Sequence, residues 1–173
     1  MKNFTGPVLF LDRNDINTDE IIPAKYLTEN TKGALKSHIL EDLHLQGFDP
    51  ANDIAGKNII VTRSNFGCGS SREHAVWVFE VNDINVVIAE SFARIFRQNM
   101  FNCGMLAIEL PQNYINELFA LGTGTVISID LEKHQIIAEN SQGEKKEFSF
   151  ELNPFDHELV ISGGWLSYAD SKY

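Results

Sequence analysis

The sequence NIIVT at 58–62 is followed by RSNFGCGSSR at 63–72 and by EHAVWVFEV at 73–81. The first piece is β-branched and predicts a buried strand. The second carries two glycines and predicts a sharp turn. In the third, Ala75, Val78 and Phe79 share one helical face, which predicts a helix over 71–81. Together they form a strand–turn–helix unit, which places a ligand at the carboxyl end of the strand.

The same alternation extends to both sides of this unit. Strands are predicted at 8–11, 85–89 and 105–110, and helices at 93–101 and 113–121, the last ended by Gly122. Strands that alternate with helices favour a parallel sheet with crossover connections. Residues 14–30 are polar and predict mostly loop, and the apolar spacing at 35, 39, 40 and 43 predicts a helix over 32–43.

The carboxyl-terminal part has a different pattern. Segments 125–131, 135–139 and 146–150 predict an antiparallel meander with turns near His134 and Gly143. A closing helix is predicted over 159–168, interrupted by Gly163-Gly164. No linker or repeat divides the chain, so residues 1–173 are expected to form a single α/β domain. Its sheet should mix parallel and antiparallel strands and be flanked by helices.

Composition excludes several classes of function. The formal charge of -10 argues against nucleic acid as a partner, because phosphate binding needs a basic face. No apolar run approaches the roughly 20 residues that span a bilayer, and no signal-peptide core is visible, so a cytoplasmic protein without membrane contact is expected. Four of the five arginines (Arg63, Arg72, Arg94, Arg97) nevertheless lie in one stretch. Local arginines of this kind would bind a small anion against the global field.

The turn at 67–72 allows two interpretations. Ser70-Ser71-Arg72-Glu73 has the form of a capping box, with Ser70 as the N-cap and Glu73 reaching back, and many helices begin this way. A hydroxyl at a helix start beside a fixed cation is also one whose deprotonated form is stabilised. The two interpretations are compatible, and the second makes the turn an anion site or a base.

Competing motifs fail at this turn. A dinucleotide fingerprint needs a third glycine where Arg72 stands, a phosphate loop needs Gly-Lys-Ser/Thr, and a nucleophile elbow needs glycines two residues either side of its serine. His74 as a partner of the serines is less favoured than a packed or capping histidine. Cys68 and Cys103, 35 residues apart without paired histidines, define neither a disulfide framework nor a metal site.

A second polar segment precedes the first unit. Residues 15–23 read Asp-Ile-Asn-Thr-Asp-Glu-Ile-Ile-Pro, with Tyr26-Leu27 just beyond. By itself this segment predicts an acidic loop with Asx turns, since the glycine and terminal glutamate of a calcium loop are missing.

Taken together, segments 15–27, 65–75 and 89–96, with Asn99 and Gly163-Gly164, resemble the small subunit family of 3-isopropylmalate dehydratase, the separate swivel domain of the aconitase superfamily. The resemblance covers nearly the whole chain. It implies the swivelling β/β/α fold and a hydro-lyase that interconverts 2-isopropylmalate and 3-isopropylmalate in leucine synthesis. It also implies a separate large subunit that carries a [4Fe–4S] cluster, a small dicarboxylate substrate, and no cofactor in this chain.

The resemblance also implies roles for particular residues. Ser70 would be the base that takes a carbon-bound proton, Arg72 would bind a substrate carboxylate, and Asp19 would be an active-site acid. Substrate contacts are expected from Ser71, Thr18, Gly69, Tyr26 and Thr28. These roles fit the physical argument, because a weakly acidic carbon needs a strong base stabilised in advance by nearby donors and charge.

The segment after Tyr26-Leu27 is where such enzymes choose their substrate. In some members of the family that this chain resembles, such as homoaconitase-like ones, an arginine follows the leucine and binds an extra carboxylate, whereas this chain has Thr28 and then Glu29. A carboxylate at 29 would repel a third substrate carboxylate, which favours an apolar substituent such as isopropyl. Methylmalate, dimethylmalate and homoaconitate remain open as substrates. Two further alternatives are a non-catalytic anion-binding module and a domain active alone, which lacks a visible electrophile.

Overall fold

The computed structural model describes residues 2–172, which form one seven-stranded sheet with helices against it. The strands, in chain order, are β1 Gly6–Phe10, β2 Ile59–Val61, β3 Val86–Ala89, β4 Leu106–Glu109, β5 Val126–Asp130, β6 Gln135–Glu139 and β7 Lys145–Ser149. The helices are α1 Thr18–Ile21, α2 Pro50–Asp53, α3 His74–Glu80, α4 Arg94–Asn102, α5 Gln112–Leu121, α6 Pro154–Ser162 and α7 Trp165–Lys172. Short 3₁₀ turns occupy Ala24–Tyr26 and Lys32–His38.

The sheet has a parallel half and an antiparallel half, which confirms the predicted mixed α/β fold. Its order is β4-β3-β2-β1-β5-β6-β7, with β1 to β4 parallel and the β1–β5, β5–β6 and β6–β7 pairs antiparallel. Every residue of β2 and β3 is buried, as expected for parallel strands covered on both faces. In β6 the buried residues Ile136 and Ala138 alternate with less buried ones, and Phe148 is the buried residue of β7, as expected for a meander with one covered face.

The parallel register decides where the chain leaves the sheet. Phe10 pairs with Val61, and Leu11 N donates to Val61 O at 2.9 Å. The two connections that follow β1 and β2 therefore start side by side at the same edge of the sheet. These are the two polar segments that the sequence singled out.

Helices α3, α4 and α5 and the meander lie within a few residues of their predicted limits, and Gly122 ends α5 with a φ of +81°. The region 14–43 differs from the prediction. α1 and one 3₁₀ turn interrupt the expected loop, and the helix expected over 32–43 is a 3₁₀ turn that ends at His38. Its continuation is blocked because Ile39 is extended and Leu40 has a φ of +54°. α2 was not predicted.

The predicted interruption of the closing helix at Gly163-Gly164 is present, and close backbone packing explains it. Gly163 is left-handed at φ +85° and ends α6, and Gly164 lies against the backbone at the end of α4. An added Cβ on Gly104 would lie 2.5 Å from the carbonyl carbon of Gly163. The closing helices are therefore seated on α4 by direct backbone contact. No helix within 2–172 has the length and apolar character needed to cross a membrane.

We expect Gly104→Ala to destabilise the fold by about 3 kcal/mol, because left-handed strain and backbone overlap act together there. Gly47→Ala is the matched control: its φ of +78° is close to the +74° of Gly104, but its Cβ would meet nothing within 4 Å. It should cost only about 1 kcal/mol. Urea unfolding measures both, and equal losses would show that the contact with Gly163 contributes nothing.

Candidate functional site

The site is built where the segments after β1 and β2 join. Gly67 N donates to Ile16 O at 2.9 Å, and Thr18 N donates to Cys68 O at 2.8 Å. Asn17 and Cys68 form an isolated parallel bridge between these two bonds. Two stretches that are 50 residues apart in sequence thus run as a pair of short strands, and both predicted site segments meet here.

Ser70 is held in place by Thr18. The backbone N–H of Ser70 donates to Thr18 Oγ1 at 3.0 Å, and Thr18 itself is buried. Gly69, with a φ of +99°, passes so close that an added Cβ would lie 3.2 Å from the same oxygen. Thr18 was predicted to contact substrate. That contact stays a prediction, and in the structure the Thr18 hydroxyl supports the backbone of the predicted base.

The predicted capping box at Ser70 and Glu73 is wrong. Helix α3 begins at His74, its N-cap is Glu73, and no side chain caps it. Residues 70–72 stay outside the helix, since the Ser70 amide is bonded to Thr18 and the Ser71 carbonyl accepts from Asn99 Nδ2 at 3.2 Å. The helix-start amides expected to stabilise a Ser70 alkoxide therefore make no bond to it.

A capping box is present in the other segment. Asn17 caps α1 by accepting the Glu20 N–H at 2.9 Å, and Glu20 Oε1 accepts the Asn17 N–H at 3.1 Å. Glu20 also binds Arg13 through both guanidinium nitrogens, and this hydrogen-bonded pair lowers the pKa of Glu20. The Asn-x-x-Glu spacing was visible in the sequence and is the signal that could have predicted this helix. The box fixes the turn that carries Asp19.

Asp19, Ser71 and Arg72 lie on one exposed face. Arg72 Nη1 is 3.9 Å from Asp19 Oδ1, and all three residues are exposed. An ion pair this long and this open to solvent is weak, so the Arg72 guanidinium can turn from Asp19 to an anion that arrives from outside. The structure thus brings together the predicted base, acid and carboxylate-binding residues from two separate segments.

Ser70 Oγ is covered by protein and has no hydrogen-bond partner among residues 2–172, although the residue as a whole is partly exposed. A buried hydroxyl without a partner costs about 1–3 kcal/mol, and such groups are rare in folded proteins. Its neighbours Gly69 and Ser71 are exposed, so the residue lies at the surface of the protein although its oxygen is covered. The unpaired oxygen is therefore a point where a ligand or a partner can supply the missing interaction.

The turn rests on an aromatic floor that sequence reasoning missed. Phe66 is 1% exposed and packs edge-on against Phe92 and Phe96, with Phe79 also in contact. A Cβ added to Gly67, whose φ is +81°, would overlap the Phe96 ring. Phe96 and Asn99 both come from α4, so this helix fixes the position of the turn relative to the sheet and helices beneath it. No pattern in the turn itself predicts this contribution.

The predicted substrate contacts Tyr26 and Thr28 lie on a neighbouring segment. Tyr26 stacks on His38 with ring centroids 3.8 Å apart, and Glu41 raises the pKa of the Tyr26 phenol through a hydrogen bond. Thr28 is exposed. Within the described residues no hydrogen bond joins either side chain to residues 69–72, so their contact with a substrate stays a prediction.

The chain's own donors do not fit an iron–sulfur cluster. Within residues 2–172 no three His, Cys, Asp or Glu side chains are grouped so as to hold a metal ion. Burial raises the pKa of the Cys103 thiol to about 11, and the Cys68 pKa is also raised by burial. An iron–sulfur cluster is held by several cysteine thiolates, and this chain has only two cysteines.

Comparison with known families gives one match. The aconitase C-terminal domain family matches residues 12–113, which include both segments of the site. A solved structure has the same fold: the crystal structure of 3-isopropylmalate dehydratase from Methanocaldococcus jannaschii superimposes with a TM-score of 0.80 at 32% identity. The match covers 98% of this chain and 94% of that one.

Three proteins of assigned function are similar over most of their length, all described as 3-isopropylmalate dehydratase small subunits. The protein from Aliarcobacter butzleri is 38% identical over 99% of this chain and 97% of its own. Those from Novosphingobium aromaticivorans and Pseudoalteromonas translucida are each 36% identical. They cover 94% and 92% of this chain, and 80% and 84% of their own.

We expect Glu20→Gln to lower the unfolding free energy by about 1 kcal/mol at pH 7, since the charged pair with Arg13 is lost. The folded-state pKa of Glu20 lies below the usual value of about 4.3, so its stabilising effect is present above that pH. The effect disappears as the pH falls through the lowered pKa. The difference between wild type and variant should therefore shrink in acid.

Denaturant unfolding between pH 7 and pH 3 measures this difference. Glu147→Gln is a suitable control, because Glu147 is exposed on β7 and forms no ion pair within the described chain. A gap between wild type and Glu20→Gln that stays constant over this range would contradict the role given to the Arg13 pair.

Proposed function

The chain belongs to the 3-isopropylmalate dehydratase small subunit family, and on that premise we propose that it contributes the proton-transfer half of a two-subunit hydro-lyase. The reaction would interconvert 2-isopropylmalate and 3-isopropylmalate by dehydration and rehydration, as a step of leucine synthesis. The observation that carries the proposal is the meeting of two segments about 50 residues apart, which exposes Asp19, Ser71 and Arg72 together next to the anchored backbone of Ser70.

In this proposal Ser70 is the base. Its deprotonated Oγ takes the proton from the carbon next to a substrate carboxylate, and the electrons of that C–H bond form the double bond as the hydroxyl of the neighbouring carbon leaves. Rehydration runs the same steps backwards with the hydroxyl on the other carbon. Ser70 Oγ suits the role because no group among residues 2–172 hydrogen-bonds to it. A hydroxyl already donating to a partner would have to break that bond first.

Stabilisation of the Ser70 oxyanion has to come from charge rather than from helix α3, whose amides make no bond to it. Arg72, two residues along the chain and paired at 3.9 Å with Asp19, is the only lysine or arginine in segment 65–80. A guanidinium can hold a substrate carboxylate through two parallel hydrogen bonds while its charge favours the alkoxide. We assign Asp19 the orientation of Arg72 and the acid role, and Ser71 a hydrogen bond to substrate.

The exposure of Asp19, Ser71 and Arg72 supports dependence on a second subunit. A base this strong needs a site from which water is excluded, and an open face cannot exclude water alone. We propose that the large subunit closes this face and carries the [4Fe–4S] cluster, whose ligands the described part of this chain does not provide. The leaving hydroxyl would depart on the side that the large subunit covers.

The choice of substrate is assigned to the segment that holds Tyr26, Thr28 and Glu29. Thr28 and Glu29 are both exposed, and a carboxylate at 29 disfavours substrates with a third carboxylate. We therefore place isopropylmalate first, with methylmalate and dimethylmalate as alternatives and homoaconitate last. Rates of the reconstituted pair on these four compounds test the order, and a preference for homoaconitate would contradict it.

Ser70→Ala should lower turnover of the reconstituted pair by about 10³-fold or more, because no other hydroxyl can occupy the position of the base. Assembly with the large subunit, followed by size-exclusion chromatography, should be unchanged. Ser149→Ala, on the exposed end of β7, serves as the control and should keep full activity. A Ser70→Ala enzyme with wild-type turnover would reject Ser70 as the base.

Arg72→Lys should raise KM about tenfold or more, since a lysine keeps the charge but loses the two-pronged geometry. Steady-state kinetics over a range of isopropylmalate concentrations measures the change. Arg94→Lys, at the start of α4, offers a comparable exchange away from the turn. If KM and kcat of Arg72→Lys match those of wild type, Arg72 does not bind the carboxylate.

A further inference from the structure

We propose that His74 is a positioning residue that fixes the segment 24–31 beside the catalytic turn and thereby sets substrate affinity. The inference rests on the proposed function for the meaning of that segment, but the contact itself does not. His74 Nε2 lies 3.2 Å from the carbonyl oxygen of Glu29, which is 45 residues away in sequence. This hydrogen bond thus joins the catalytic turn directly to the segment that holds Thr28.

The hydrogen bond to Glu29 determines which ring nitrogen of His74 carries a proton. A backbone carbonyl only accepts hydrogen bonds, so Nε2 must carry the proton and donate. The ring is oriented by Trp77, one helical turn further along α3, with ring centroids 4.7 Å apart. Because His74 is the first residue of α3 and follows Arg72 by two positions, the donor is attached rigidly to the turn that binds substrate.

The segment needs this anchor because it buries almost nothing. Residues 24–31 include no buried side chain, and their internal bonds are two 3₁₀-type contacts, from Leu27 N to Ala24 O and from Glu29 N to Tyr26 O. Backbone bonds tie its ends to the adjoining chain, from Tyr26 N to Pro23 O and from Ala34 N to Thr31 O. The second side-chain anchor is the Tyr26 ring, which stacks on His38 at 3.8 Å. Thr28 lies between the two anchors, so releasing either one frees its position.

The effect on substrate binding depends on the fraction of molecules in which segment 24–31 is correctly placed. If only a fraction of molecules holds segment 24–31 in the competent position, the apparent dissociation constant rises by the inverse of that fraction. Loss of one neutral hydrogen bond, worth about fivefold to tenfold in an equilibrium, should therefore raise KM by a similar factor. The chemical step on bound substrate should be unchanged, because His74 does not touch the reacting atoms.

The test uses His74→Phe, which keeps a ring against Trp77 and removes the donor. Hydrogen exchange of the full chain should show protection at residues 27–31 lowered about fivefold to tenfold. In the reconstituted pair the KM for 2-isopropylmalate should rise by the same factor, with kcat within about twofold. The exchange measurement needs no activity, so it stands even if Ser70→Ala overturns the proposed base.

A second variant separates positioning from packing. His74→Gln retains an N–H donor that can reach the Glu29 carbonyl, and it should recover most of the protection and most of the KM. His157→Phe, on α6 and partly buried, is the matched histidine control and should leave both quantities unchanged.

Each outcome of these measurements either supports the proposal or overturns it. Raised KM and lowered protection in His74→Phe, with recovery in His74→Gln, support the proposal. Unchanged exchange at 27–31 in His74→Phe overturns it, and so does a fall in kcat without a change in KM. The latter pattern would place His74 in the chemical step instead.

Discussion

The hydrogen bonds that join residues 16–18 to residues 67–70 are the constraint on which the rest of this site depends. They convert two loops into a single unit, so that a side chain in one segment has a fixed distance from a side chain in the other. The parallel register of β1 and β2 makes this possible, because it releases both loops at the same edge of the sheet. The bond from Ser70 N to Thr18 Oγ1 completes the unit at the catalytic end.

The glycines of the turn serve this junction rather than general flexibility. Gly67 lets the chain lie on the Phe96 ring, and Gly69 lets it pass Thr18 Oγ1, both in left-handed conformations that other residues rarely adopt. Cys68 stands between them and bonds through its backbone, not through its thiol. Two glycines in a turn suggest a ligand-binding loop, but here they are required for close approach to the Phe96 ring and the Thr18 hydroxyl.

The parts of the structure that the sequence predicted are those held by interactions between residues close together in the chain. The strands β3 and β4 and helices α4 and α5 follow local apolar spacing, which is present in the sequence, and they were found within a few residues. The start of α3 was misplaced because the Ser70 amide and the Ser71 carbonyl bond to Thr18 and Asn99, which are distant in sequence. Local motif reasoning found a capping box at 70–73 and overlooked the one that Asn17 and Glu20 form.

The same distinction applies to the candidate site. Family motifs pointed to Ser70, Arg72 and Asp19, and the structure brings those three together. They gave no indication that Thr18 supports the backbone of Ser70, or that His74 bonds the Glu29 carbonyl. Both are contacts between side chain and backbone across about 50 residues, and no spacing rule predicts such contacts. Residue identity thus predicted the reacting groups, while their supports emerged only from the tertiary fold.

The resting state of Ser70 links stability to function. A covered hydroxyl without a partner costs the folded chain about 1–3 kcal/mol, and replacing it by a methyl group would remove that cost. The unit around it is otherwise well satisfied, since the backbone groups of Ser70 and Ser71 are bonded and the floor beneath is apolar. Among the polar groups of residues 16–18 and 67–71 that the structure describes, the buried side-chain atom without a partner is the one proposed to react. A preorganised base needs rigid surroundings and a reacting oxygen that is not already bonded. Such an oxygen gains interactions when it meets substrate, instead of exchanging old ones for new ones.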